Sequence, residues 1–153
     1  MLETPHVLVG AAIAVKIPNP LISIPLAFSS HFILEKVPHW NPHLNTEVKK
    51  YKKVTRTSTN IVIADVMLSL GSGFFIATSA SSDFSHAVWI ILACFASVLP
   101  DVIEGPYFFL GLKSKFIKKW IGFQKSIQCD VSLIPGLLTQ VITIASCFFW
   151  IYF

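Results

Sequence analysis

The stretch STNIVIADVMLSLGSGFFIATSA, residues 58–80, decides the fold class of this chain. Asp65 is its one charged side chain, and the other residues are apolar, small or hydroxylated. A helix needs about 20 mainly apolar residues to cross the hydrocarbon core of a bilayer, where backbone polar groups must pair internally. The stretch therefore predicts a transmembrane helix, and we interpret the rest of the chain around it.

The composition of the whole chain also indicates a membrane protein. Of its 153 residues, 54% are hydrophobic and 13% are charged, and the net charge is +4. Soluble domains carry about 25% charged residues, so the composition excludes a disordered chain and a soluble nucleic-acid-binding domain. The sequence contains neither a glycine-rich phosphate loop nor a Rossmann fingerprint. We therefore expect no nucleic acid partner and no nucleotide cofactor.

We predict an all-α membrane bundle that forms a single domain, residues 1–153. Pro18 and Pro20 separate two short apolar runs, and this turn signal predicts a helical hairpin. Thr4, ahead of Pro5, predicts the N-cap of the first hairpin helix. The predicted elements are the hairpin at 5–37, a basic loop at 38–57, membrane helices at 58–80, 86–104 and 132–153, and an interfacial amphipathic helix at 113–128.

Two lysine-rich segments orient the predicted bundle. One lies in the 38–57 loop and the other in the 113–128 helix. Cytoplasmic loops of membrane proteins are enriched in Lys and Arg, and such clusters attract anionic lipid headgroups. We therefore expect a multi-pass protein of the inner (cytoplasmic) membrane with both basic segments on the cytoplasmic side. Membrane lipids are the expected partners.

Ionisable side chains gather at the same end of the predicted bundle. A titratable group in an apolar helix is costly and is usually functional. We expect metal ligands at His6, His31, His39, Asp65, Asp101 and Glu104, and catalytic roles for Glu35 and Asp101. The alternative is a hydrogen-bonded polar cluster that only stabilises the bundle.

The spacing of His31, Glu35 and His39 carries the metal prediction. The interval i, i+4, i+8 places them on one helical face, although Pro38 predicts that the helix ends before His39. Two imidazoles and a carboxylate suit a divalent transition ion, with zinc expected and manganese or magnesium as alternatives. Asp101 offers further oxygen ligands, which leaves either a second metal or a general base open.

Three motifs together resemble a known family. The motifs are Thr4-Pro5-His6; Ser30-His31 followed by Glu35, Pro38, His39, Trp40 and Asn41; and Leu99-Pro100-Asp101-Val102-Ile103-Glu104. They are similar to elements of the bacterial and archaeal inner-membrane proteins described as membrane-bound metal-dependent hydrolases. The resemblance implies that His6, His31, Glu35 and Asp101 are metal ligands or catalytic groups. Glu35 stands where that family has Asp.

Three functions fit these residues. The first is a metal-dependent hydrolase that acts at the headgroup level of the inner leaflet on a lipid or lipid-linked phosphate or ester, through metal-activated water. The second is a structural or accessory membrane protein with a buried polar cluster. The third is a metal or proton transporter or sensor, and a transport pathway would need polar groups across the whole membrane. Because the ionisable residues lie at one end, the sequence favours chemistry over transport.

Overall fold

The computed structural model describes residues 1–81 and 83–153. Within these two ranges the protein forms eight helices and no β-strand, which confirms the all-α prediction. The helices are α1 (Glu3–Lys16), α2 (Pro20–Leu34), α3 (Leu44–Tyr51), α4 (Arg56–Ser79), α5 (Phe84–Val102), α6 (Gly105–Phe109), α7 (Lys115–Ile127) and α8 (Leu133–Tyr152).

Of the helices in the described residues, α4, α5 and α8 are the three that are long and apolar enough to cross a membrane. They correspond to the three predicted membrane helices. Thr55 begins α4, because its hydroxyl accepts a hydrogen bond from the Ser58 backbone N–H (3.3 Å). Asp83 begins α5 in the same way, by accepting from the His86 N–H (2.9 Å).

Helix α1 lies in the middle of the bundle, where it packs against α2, α4, α5 and α8. Its buried face contains the small residues Gly10, Ala11 and Ala12. A Cβ added at Gly10 would lie 2.8 Å from the Ala93 carbonyl oxygen on α5. Small residues allow this close approach of two helix backbones. The packing holds the first turn of α1, which carries His6, beside the last turns of α5.

Helix α3 corrects the prediction of a loop over residues 38–57. Glu47 on α3 accepts hydrogen bonds from the Thr55 backbone N–H (2.8 Å) and the Ser58 hydroxyl (2.7 Å). Desolvation opposes ionisation of Glu47, but these hydrogen bonds outweigh it and hold its pKa below the usual value. The carboxylate therefore ties α3 to the N-terminus of α4.

Two helix boundaries also differ from the predictions. Helix α1 begins before Thr4, and its N-cap is Leu2. Helix α5 spans Phe84–Val102, two residues earlier at each end than the predicted 86–104, with Pro100 inside it. The indole N–H of Trp120 on α7 donates to the Pro100 carbonyl (2.9 Å), which satisfies an oxygen that the end of a helix leaves free.

Backbone pairing after α2 positions the segment that carries Glu35 and His39. The Cys129 N–H donates to the Glu35 carbonyl (3.0 Å), and the His39 N–H donates to the Cys129 carbonyl (3.1 Å). Gly136, in the first turn of α8, lies against this segment. A Cβ at Gly136 would overlap the backbone nitrogen of Trp40. The absence of a side chain at this glycine therefore lets the segment cross α8.

Candidate metal centre

His6 projects from the first turns of α1 and is fully buried. Its Nε2 lies 3.2 Å from Glu35 Oε1, so in the neutral ring Nε2 donates to the carboxylate and Nδ1 carries the lone pair. Among the residues that the structure describes, Nδ1 has no hydrogen-bond partner although it is buried. Metal-binding histidines are oriented in this way, by a carboxylate that holds one imidazole nitrogen and leaves the other free.

His31, on α2, is also fully buried, and its ring stacks on that of His6 with the centroids 4.2 Å apart. Its Nδ1 lies 2.9 Å from the carbonyl oxygen of Ser97 on α5. A carbonyl can only accept, so Nδ1 carries the hydrogen and Nε2 carries the lone pair of the neutral ring. This Nε2 lies 3.7 Å from Asp101 Oδ1. The Ser97 carbonyl therefore aims the free nitrogen of His31 toward Asp101.

His6, His31 and Asp101 form a group that could hold a metal ion. One ligand atom from each lies within 4.8 Å of the other two. Three of the predicted ligands are thus neighbours, although they come from three different helices. The set of two imidazoles and one carboxylate, with each imidazole held by a second bond, fits a divalent transition ion.

Gln124, on α7, joins His31 to the two carboxyl groups beside it. Its amide nitrogen donates to Asp101 Oδ1 (2.9 Å) and to Glu104 Oε1 (3.2 Å). The amide oxygen therefore faces His31 Nε2, at 3.1 Å. In neutral His31 both of these atoms are acceptors, and two lone pairs at this distance repel each other. A metal ion or a proton on His31 Nε2 removes the conflict.

Glu35 and His39 lie beside this group. Glu35 Oε1 contacts the Met1 amino group as well as His6. His39 Nδ1 donates to the Val37 carbonyl (2.7 Å), which leaves Nε2 pointing at Glu35 Oε2 from 3.7 Å. Within residues 1–81 and 83–153, neither His39 Nε2 nor Glu35 Oε2 has a hydrogen-bond partner. Burial, reinforced by the charge of the Met1 amino group, holds the pKa of His39 below its usual value.

Asp65, predicted as a metal ligand, has a different role. Its carboxylate accepts hydrogen bonds from the backbone N–H groups of Glu3 and Thr4 and from the Thr4 hydroxyl (2.6 Å). The first N–H groups of a helix have no partner inside it, and an acidic oxygen there is favourable. Asp65 therefore caps α1 from α4, which explains why Thr4 is not needed as the N-cap.

Glu104 follows the end of α5, where it shares the Gln124 amide with Asp101. Burial, and next the negative charge of Asp101, raise the pKa of Glu104 to about 8. Both carboxyl groups line a cavity of about 650 Å³, together with Glu3 at the start of α1. The candidate metal group therefore meets this cavity at Asp101, with a second carboxyl group beside it.

The sequence predictions did not include two buried amides. Gln124 joins His31 to both carboxylates, and Gln140 on α8 accepts from the Leu2 N–H (2.9 Å) and donates to the Trp40 carbonyl (2.8 Å). A signal for Gln124 is present in the sequence, because it lies seven residues after Ile117 on the apolar face of α7. A neutral polar residue on an apolar face indicates a buried hydrogen-bonding position.

No family model, curated protein or solved structure matches this chain. The functional argument therefore depends on the contacts around His6, His31 and Asp101 and on the three motifs that contain them.

Proposed function

We propose that this protein is a membrane-bound metal-dependent hydrolase of the family that its three motifs resemble. One observation carries the proposal: His6, His31 and Asp101 present ligand atoms within 4.8 Å of one another. Glu35 holds His6 Nε2 and leaves Nδ1 without a partner within the described residues. The Ser97 carbonyl holds His31 Nδ1 and leaves Nε2 toward Gln124 and Asp101.

His6, His31 and Asp101 would hold the ion, and the nitrogen-rich donor set favours zinc, with manganese or magnesium as alternatives. A bound divalent ion supplies a Lewis acid and lowers the pKa of water, which is what hydrolysis of an ester or phosphate needs. The chain's own groups orient this centre. Glu35 holds His6 and is therefore a positioning residue, and Gln124 fixes the Asp101 carboxylate.

Glu104 is the proposed proton donor. It lines the cavity beside Asp101, and burial raises its pKa above the usual value. A carboxylic acid of this kind can give its proton to a leaving oxygen. The Gln124 amide holds its Oε1 at 3.2 Å, which leaves the rest of the carboxyl group toward the cavity.

The proposed substrate is a lipid or lipid-linked phosphate or ester, and the proposed location is the inner (cytoplasmic) membrane. The basic segments 49–56 and 113–125 flank the end of the bundle where α4 begins and α5 ends, and Asp101 lies at that end. The positive-inside rule makes this the cytoplasmic side. The lysines would also attract an anionic headgroup to the level of the centre.

A structural or accessory role is the second candidate, and the hydrogen bonds of Asp65 and Gln140 favour it. These buried side chains join the start of α1 to α4 and α8, and this stabilises the bundle whether or not a substrate binds. The structural role predicts that the purified protein binds no metal. It also predicts that alanine at His31 lowers stability and changes nothing else.

Metal content of the purified protein distinguishes the two functions. We expect about one zinc or manganese per chain by mass spectrometry in the wild type, as for a single-ion hydrolase site. The expected content falls to background in His31→Ala and Asp101→Ala and stays unchanged in His86→Ala. His86 is a matched control because it donates to a backbone carbonyl of α1, at the opposite end of α5 from Asp101. Folded wild type without metal, even after incubation with zinc and manganese, would refute the hydrolase.

A further inference from the structure

The cavity beside the candidate centre continues as an apolar cleft between α4 and α5. Its walls include Val66, Leu70 and Phe74 of α4 and Ile91 and Phe95 of α5, and Val7 of α1 contributes to its floor. The volume of about 650 Å³ lies within the range of about 300–1,000 Å³ that is usual for small-molecule sites. Such sites combine mostly apolar walls with a few convergent polar groups, as this one does at Asp101 and Glu104.

The sequence of α4 explains the shape of the cleft. Asp65, Ser69 and Gly73 are spaced by four residues, and they form a stripe of short side chains along the helix. Gly73 shows that the stripe faces the neighbouring helices, because a Cβ there would lie 3.2 Å from Val7 and 3.4 Å from the Cys94 sulfur.

The neighbouring stripe of Val66, Leu70 and Phe74 extends over about 12 Å of helix at 1.5 Å per residue. The wall therefore runs from the level of Asp65 toward the middle of α4.

The cleft is open at its side. Leu70 is 65% exposed, Phe74 is 66% exposed and Phe95 is 52% exposed, although all three line it. In a membrane-spanning helix pair such side chains face lipid. A lipid chain can enter sideways without leaving an apolar phase, because lipid tails and apolar side chains are similar solvents.

We propose that this cleft binds one acyl chain of a phospholipid whose phosphate lies at the Asp101 end. The position of the phosphate rests on the proposed function, whereas the site of the acyl chain rests on the cleft itself. The polar end carries the carboxyl groups of Glu3, Asp101 and Glu104. An anionic phosphate fits there only beside a cation, which the metal group would supply. Lys125 also lines this end, where its ammonium group is paired with Asp130 (2.6 Å).

A cleft of this kind selects the orientation of a substrate. The acyl chain lies between α4 and α5, so the phosphate of the lipid reaches the level of Asp101 and Glu104, where α5 ends. Holding the reacting group in place is worth a large part of a catalytic barrier. The chain site would therefore restrict hydrolysis to lipids, and a water-soluble phosphate ester would be a poorer substrate.

Photocrosslinking tests the chain site directly. The probe is phosphatidic acid with a diazirine in the middle of one chain, mixed into phosphatidylcholine vesicles that contain the full-length protein. Peptide mapping should find crosslinks on the cleft-facing residues of α4 and α5. They should exceed those on the outer face of α8 by about tenfold, the ratio that about 1.4 kcal/mol of preference gives. Equal labelling of the cleft and of α8 would overturn the proposal.

Two pairs of variants serve as a specific block and its matched control. Ile91→Trp fills the cleft, whereas Leu92→Trp adds the same ring at a neighbouring position of similar exposure that does not line it. Leu70→Trp and Leu68→Trp repeat the comparison on α4, in case one variant misfolds. We expect the first member of each pair to lose most of the cleft labelling and the second to keep it. Equal labelling within each pair would also overturn the proposal.

Failure of the chain site and failure of the hydrolase give different results in the same samples. Metal content and the release of phosphate from phosphatidic acid are measured beside the crosslinking. Metal and turnover without cleft labelling would refute the chain site alone. Cleft labelling in protein that binds no metal would refute the hydrolase and leave the chain site supported.

Discussion

Removal of the Asp65 carboxylate separates its observed role from the role predicted from sequence. In the structure the Asp65 carboxylate caps the N-terminus of α1, where it accepts hydrogen bonds from the backbone N–H groups of Glu3 and Thr4 and from the Thr4 hydroxyl. Asp65→Ala removes all of these acceptors. Asp65→Asn keeps one acceptor oxygen and removes the charge. Asp65→Asn therefore removes the charge and one of the two acceptor oxygens, whereas Asp65→Ala removes the charge and both oxygens.

The contacts of Asp65 set the expected size of each effect. Loss of an N-cap acceptor costs about 0.5–2 kcal/mol, and each buried donor left without a partner costs about 1–3 kcal/mol. Thr4 is 8% exposed, so water does not easily replace the acceptor of its backbone N–H, whereas its hydroxyl keeps the Asp65 carbonyl and the Ser69 hydroxyl as partners. We expect Asp65→Ala to lower the free energy of unfolding by about 3 kcal/mol, within these ranges. For Asp65→Asn we expect about 2 kcal/mol, because the charge at the helix terminus and the acceptor of one donor are both lost.

Unfolding by sodium dodecyl sulfate in mixed micelles, followed by tryptophan fluorescence, measures these differences. Asp83→Ala is the matched control, because Asp83 caps α5 with one hydrogen bond at an exposed position. We expect a loss below about 1 kcal/mol for that control. The cap would be refuted by an Asp65→Ala protein as stable as the wild type. If Asp65→Asn folded normally but lost the metal of the wild type, Asp65 would be a ligand after all.

Three further predictions follow from contacts elsewhere in the chain. Gly136→Ala places a Cβ on the backbone of Trp40 and should lower the free energy of unfolding by about 1–3 kcal/mol in the same micelle titration. The control is Gly122→Ala, because Gly122 has open space around it in the described structure. This control should change the free energy of unfolding by less than about 1 kcal/mol. Gln124→Ala leaves the carboxylates beside the metal group without their shared donor, and a zinc titration should show affinity about 10–100-fold weaker. The pKa of Glu47 is depressed, so its carboxylate stabilises the docking of α3 at neutral pH, and this stabilisation is lost as the pH falls through that pKa. Proteolysis after α3 should therefore rise in acid for the wild type and be independent of pH in Glu47→Gln. A pH-independent wild type would contradict this role.

The long helices were predictable because an apolar run of membrane length has few alternatives. Residues 58–80 contain one charge and no proline, and α4 covers them almost completely. Helix α3 was not predictable from hydropathy. It is short and polar, and its position depends on hydrogen bonds from Glu47 to the start of another helix. Such a contact joins residues whose meeting depends on tertiary structure.

The candidate site was predictable in part for the same reason. His6, His31 and Asp101 are costly in apolar segments, so their placement at one end of the bundle is informative from hydropathy alone. Asp65 is also an ionisable residue in an apolar segment, but it lies on α4 and accepts hydrogen bonds from the N-terminus of α1. The spacing of residues along the sequence does not reveal such a contact between helices. Gln124 carries no charge and therefore gives a weaker signal, although it contacts His31, Asp101 and Glu104.

The arrangement of the metal group along the chain has a consequence for protein synthesis. His6 leaves the ribosome early, but Gln124, which bridges His31 to the carboxylates, is made only after α3, α4, α5 and α6 have followed the first two helices. The nascent chain therefore exposes its first histidine to the insertion machinery long before the last contact of the group exists. A chain truncated before α7 would carry all three candidate ligands, His6, His31 and Asp101, but would lack the Gln124 amide that contacts His31 and Asp101.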